Sequence, residues 1–101
     1  MTGKESTTPA SSKPVNARRK VHIRIKYRRK GQPGRQLRER CDTLVDMLVE
    51  DDAGVIEARK DGEGEVVIYV VTRFADYTVE QAQKIVNELK IERATITIVE
   101  E

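Results

Sequence analysis

The stretch Arg18-Arg19-Lys20-Val21-His22-Ile23-Arg24-Ile25-Lys26-Tyr27-Arg28-Arg29-Lys30 decides how the rest of the chain is read. Val21, Ile23, Ile25 and Tyr27 fall on every second position, and an extended chain sends alternate side chains to opposite faces. The spacing predicts a core strand from about Lys20 to Arg28. The other face of that strand carries His22, Arg24, Lys26 and Arg28, while Arg18, Arg19, Lys20, Arg29 and Lys30 crowd its two ends. One face therefore needs an apolar layer, and the other calls for an anionic partner or for carboxylates of the chain itself.

Charge is distributed unevenly around this strand. Residues 1–40 hold 13 Lys and Arg against Glu5 and Glu39, a net +11, whereas residues 41–101 hold 6 against 15, a net −9. Such a split fits a nucleic-acid or other polyanionic partner, and it equally fits an acidic protein surface or a second copy of the chain. The whole chain is 101 residues with 38% apolar content and four aromatics, enough for one small core and no more. The opening Met1-Thr2-Gly3-Lys4-Glu5-Ser6 lacks the apolar run of a secretory signal. The longest apolar run, Val66 to Val71, is far below the roughly 18 residues that cross a bilayer. A cytoplasmic protein without membrane attachment is expected.

Outward from the strand, residues 1–17 are rich in Ser, Thr and Pro with almost nothing to bury, and they read as a disordered tail. Residues 18–101 read as a single domain. After the strand, Lys30-Gly31-Gln32-Pro33-Gly34-Arg35 breaks extended structure. From Arg35 to Asp51 the apolar period changes to three and four at Leu37, Cys41, Leu44, Val45 and Leu48, which predicts an amphipathic helix capped by Gly54. Val55–Lys60 and Glu65–Thr72 read as strands joined through the tight turn Asp61-Gly62-Glu63-Gly64. Thr78-Val79-Glu80-Gln81 has the form of a capping box opening a second helix along Val79, Ala82, Val86 and Leu89. Ala94–Val99 closes the chain as a strand, with Ile96 and Ile98 toward the core.

The order β-α-β-β-α-β, with right-handed crossovers that each leave room for one strand, predicts an antiparallel sheet ordered 4-1-3-2 with both helices on one face. This is the α+β ferredoxin-like arrangement, a fold that hosts many functions and supplies none of them. Its open face would show His22, Arg24 and Lys26 beside Val67, Tyr69 and Val71, with Thr95 and Thr97 on the outer strand. In topology and in the single ring Tyr69 this resembles the RNA-recognition module, in which bases stack on sheet aromatics while cations hold phosphates. That module places several aromatics on its central strands, whereas here Val67 and His22 stand at neighbouring positions.

The loop after the first strand adds to the basic character. Its glycines let backbone N–H groups approach an anion, and it opens into a helix whose first turns carry Arg35, Arg38 and Arg40 and whose last carry Glu50, Asp51 and Asp52. Both ends oppose the helix dipole, an arrangement that an anion docked at the arginine end would offset. An Arg38–Asp42 pair would recover part of the same cost. Gly31-Gln32-Pro33-Gly34 matches the letters of the KH-domain G-x-x-G, yet it joins a strand to a helix rather than two helices. A glycine-rich, arginine-bearing loop after the first strand also resembles acylphosphatases, whose catalytic asparagine on the next strand has no counterpart in Val55–Lys60. One histidine and one cysteine make no metal-ligand cluster and no intrachain disulfide, and no nucleotide-phosphate loop occurs.

The sequence therefore points to a non-catalytic module without cofactor or metal. Its expected function is binding of RNA or single-stranded DNA through Arg18, Arg19, Lys20, His22, Arg24, Lys26, Arg28, Arg29, Lys30, Arg35, Arg38 and Tyr69. The alternative is a protein-interaction or homodimerisation domain that pairs through Val67, Tyr69 and Val71 on the open sheet face.

Overall fold

The structure is a computed structural model and describes residues 18–28 and 30–99. The tail expected over residues 1–17 lies outside the described residues, as does Arg29. The elements are β1 (Arg19–Lys26), α1 (Arg35–Glu50), β2 (Val55–Gly62), β3 (Glu65–Thr72), α2 (Ala75–Glu88) and β4 (Ala94–Val99). They form a four-stranded antiparallel sheet in the order β2-β3-β1-β4, the order expected from the chain.

Alternation on β1 sets the layers. Val21, Ile23 and Ile25 are fully buried, opposite Val70, Ile68 and Val66 of β3 and Ile98, Ile96 and Ala94 of β4. Cys41, Leu44 and Leu48 of α1 and Ala82, Ile85 and Val86 of α2 join the same core cluster, so both helices cover this face. Among the described residues no helix covers the opposite face, and it presents His22, Arg24, Lys26, Val67, Tyr69, Thr95 and Thr97 as the alternation predicts. No helix among the described residues is long and apolar enough to cross a membrane.

Three local expectations differ from what is found. Thr78 does not cap α2. The helix starts at Ala75, where the hydroxyl of Thr72 accepts the Phe74 N–H at 3.0 Å. Thr78 is instead fully buried within the helix, its hydroxyl meeting the Ala53 and Phe74 carbonyls and the Thr72 hydroxyl. A buried hydroxyl needs such partners, and here it ties α2 to the end of α1.

Gly54 is not the cap of α1 either. Asp52 takes the left-handed position (φ 55°), with Ala53 N–H bonded to Leu48 O at 2.9 Å and Asp52 N–H to Val49 O at 3.1 Å, a Schellman closure. Gly54 is required for another reason: at φ 146° a Cβ would sit 2.6 Å from Val70 Cγ1 and 2.9 Å from the Val71 carbonyl oxygen. The third difference is the hairpin. Asp61 and Gly62 belong to β2, and the turn narrows to Glu63-Gly64, both at positive φ (57° and 83°), as a two-residue primed turn demands.

Strand β2 is also irregular. A bulge between Ile56 and Ala58 inserts one residue and reverses the phase of the strand. Arg59 and Asp61, opposite Ile68 and Val66, therefore turn toward the helices, while Ala58 and Lys60, opposite Tyr69 and Val67, turn to the open face.

Candidate nucleic-acid interface

The open face is centred on His22 and Tyr69, which stand opposite one another on the two central strands. Their ring centroids lie 4.7 Å apart with the planes at 83°, an edge-to-face contact that holds both rings at the middle of the sheet. One register step along, Arg24 and Lys60 flank Val67 on either side. Long basic side chains shield apolar neighbours with their methylene stems, and Val67 is only 7% exposed although no helix covers it. Arg24, Lys60, Val67 and Tyr69 line a hollow of about 570 Å³ together with the acidic residues Asp61, Glu63 and Glu65, and its rim is the β1–α1 loop at Gly31 and Gln32. That loop is fastened at two points. The Tyr27 hydroxyl donates to the Gly31 carbonyl, and Gln32 Nε2 donates to the Asp61 carbonyl at 3.4 Å.

The cations expected to form one continuous track divide into groups. Lys20, His22, Arg24 and Lys26 lie on the open face. Lys20 pairs with Glu57 at 3.7 Å and Arg24 with Glu65 at 3.4 Å, both partly exposed pairs. Arg19 shares the helix-covered side with Val21, because it sits two residues before it on the same strand. Arg18 is exposed just before β1, next to Glu57 and Val71. Arg35 and Arg38 ride on α1, which packs against the other face, and Arg35 pairs with Glu39 at 3.3 Å. Lys30 is exposed in the loop. The track is interrupted because the β1–α1 connection carries the chain around the end of the sheet to its other side.

Arg28 and Lys26 meet partners that the linear reading did not identify. They line a shallow pocket of about 380 Å³ at the end of the sheet together with Arg40 from α1 and Lys90 and Arg93 from the α2–β4 connection. The Arg93 carbonyl accepts the Lys26 N–H at 3.2 Å, which fixes that connection against the end of β1. Lys90 and Arg93 both adopt left-handed backbone (φ 56° and 58°), a conformation that costs a residue with a Cβ roughly 1 kcal/mol. Lys90 occupies the cap of a second Schellman closure, with Ile91 N–H bonded to Val86 O at 3.0 Å. A cation where glycine or asparagine is usual was the available sequence signal.

One cation cluster is spent inside the chain. Arg59 bonds Asp61 twice (Nε–Oδ1 2.9 Å, Nη2–Oδ2 3.0 Å) and reaches across to Asp42 of α1 at 2.6 Å. Asp42 thus pairs with Arg59 and not with the expected Arg38. The Asp61 bonds foremost, and those of Asp42 after them, hold the Arg59 guanidinium above its ordinary pKa against the pull of burial. Cys41 is buried beside this cluster, and burial pushes its thiol from 9.0 up to about 11, the nearby Arg59 charge acting the other way. It is a core thiol. Among the described residues no three His, Cys, Asp or Glu side chains group as metal ligands. No known protein family, curated protein or solved structure matches this chain.

Proposed function

We propose that this domain binds a single nucleic-acid strand, RNA or single-stranded DNA, across the helix-free face of a ferredoxin-like sheet, as a non-catalytic cytoplasmic module. The observation that carries the reading is the pair of rings His22 and Tyr69 on the two central strands of a face that also carries Arg24, Lys26 and Lys60, with Glu65 between the first two. Bases stack on rings with little regard to sequence, and flanking cations hold the phosphates. A duplex hides its base faces, so the rings favour single strands. The Arg24–Glu65 and Lys20–Glu57 pairs do not stand in the way, because exposed ion pairs contribute at most about 1 kcal/mol and exchange readily for phosphate.

A salt titration of binding to generic RNA, single-stranded DNA and duplex DNA tests the reading. Affinity for the single strands is expected to fall with a log–log slope of about −0.7 per phosphate contact, and duplex is expected to bind more weakly. Absence of binding at low salt, or a preference for duplex, would sink it.

One observation favours assembly as a second reading. Val55 is 69% exposed and Phe74 57% exposed, and both border Val71 at one corner of the sheet. A second copy seated there would bury them, whereas Val67 is already screened by its own neighbours. Sedimentation across salt concentrations separates the cases: an apolar dimer persists at high salt, and a basic-to-acidic pairing dissociates.

A further inference from the structure

We infer that the pocket at the end of the sheet is a second anion site, sharing only Lys26 with the ring-bearing face, and that it takes a compact phosphate group carrying several charges: a phosphomonoester end or an oligophosphate. Its lining holds five cations, Lys26, Arg28, Arg40, Lys90 and Arg93, against the single carboxylate of Glu92. None of the five makes an ion pair among the described residues, in contrast to Lys20, Arg24, Arg35 and Arg59. Three separate elements deliver them: the end of β1, the second turn of α1 and the α2–β4 connection.

Uncompensated like charges gathered from distant parts of a chain repel one another. The chemistry that relieves them most is a group with two or more negative charges on few atoms. A carboxylate or an internal phosphodiester brings only one charge, while a phosphomonoester brings nearly two at neutral pH and several acceptor oxygens. Three of the five are arginines, whose planar forks pair with phosphate oxygens in twos.

The backbone supplies an independent observation. Four residues other than glycine have positive φ among those described, and two of them, Lys90 and Arg93, line this pocket. Glycine would suit both positions better on conformational grounds alone. The Schellman closure accounts for the backbone at Lys90 as it does at Asp52; what is particular to this connection is that both of its left-handed positions carry cations and both line the pocket.

The test uses inorganic tripolyphosphate as probe, followed by calorimetry or by amide chemical shifts at low salt. Tripolyphosphate is expected to bind and to shift the amides of residues 90–93 and of Tyr27 and Arg28. The double variant Lys90→Gly, Arg93→Gly should weaken binding at least 10-fold while its Tm is no lower than that of the parent, since glycine fits left-handed backbone. Arg40→Gln, on an exposed helix position, should weaken it several-fold and guards against a folding defect in the first variant. Competition then separates the sources. A strand with a 5′- or 3′-phosphate that competes better than its hydroxyl-ended twin identifies a strand end, and a nucleoside triphosphate that competes better identifies a free nucleotide. Undetectable tripolyphosphate binding, unchanged binding in the glycine variant, or loss of binding only together with a lowered Tm overturns the assignment. Binding of hydroxyl-ended strands to the sheet face is a separate measurement, so either site can fail without the other.

Discussion

One basic side chain at the β2 edge and a cluster of five at the end of β1 are treated differently by the fold. At the β2 edge, Arg59 is locked by Asp61 and Asp42, and its side chain is only 23% exposed. At the end of β1, Lys26, Arg28, Arg40, Lys90 and Arg93 face solvent, and among the described residues no carboxylate is bonded to any of them. The same chemical groups therefore serve cohesion in one region and are left without a matching carboxylate among the described residues in the other. What separates them is the environment each is placed in, not the residue type. A partly buried guanidinium must be matched within the chain, while an exposed one can wait for an external anion.

The comparison breaks first at Arg59. Arg59→Met leaves Asp61 and Asp42 without their partner and is expected to cost about 3 kcal/mol, a Tm lower by roughly 12 °C or more, with nucleic-acid affinity per folded molecule unchanged. Adding Asp42→Asn and Asp61→Asn should recover part of that loss. If the single variant is as stable as the parent, the edge cluster contributes no cohesion and the contrast fails.

Cys41 sharpens the same side of it. The folded thiol holds its proton to about pH 11, whereas the unfolded chain releases it near 9.0, so the unfolded state gains as pH rises through that window. Denaturant titrations should show the parent losing about 2 kcal/mol more than Cys41→Ala between pH 8 and 11. Equal losses would mean that the thiol is not protected.

On the open face the expected effects appear in binding. Arg24→Glu with Lys60→Glu, both lining the open-face hollow, should lower affinity for single-stranded RNA by ~30-fold at low salt, from roughly 1 kcal/mol per lost phosphate contact, with thermal stability nearly unaltered. Parent-like binding would remove the sheet face from the proposal. The smallest effect belongs to Glu65→Gln, which frees Arg24. Stability should change by less than about 0.5 kcal/mol while affinity rises about twofold, measurable by anisotropy with a labelled strand.

Alternation in Val21, Ile23 and Ile25 and the three-to-four spacing of Cys41, Leu44 and Leu48 specify the elements, their order and the side of each that is buried. Those patterns express local geometry, so the linear chain carries them in full. The same logic places His22, Arg24, Lys26 and Tyr69 on one face. It stops at features made by residues far apart in sequence. Alternation through Val55–Lys60 would have sent Arg59 outward. The bulge at Ile56–Ala58 turns it inward, and a bulge is fixed by the register of the neighbouring strand. Nor does any spacing link Arg40 to Lys90 and Arg93. Their convergence with Lys26 and Arg28 arises because β1 ends against the α2–β4 connection, a contact that exists only once the strands have paired. Sequence alone determined which charges of β1 face away from the core, whereas tertiary structure turned Arg59 inward and decided which charges are matched and which are left open, because charge pairing depends on distance in space and not along the chain.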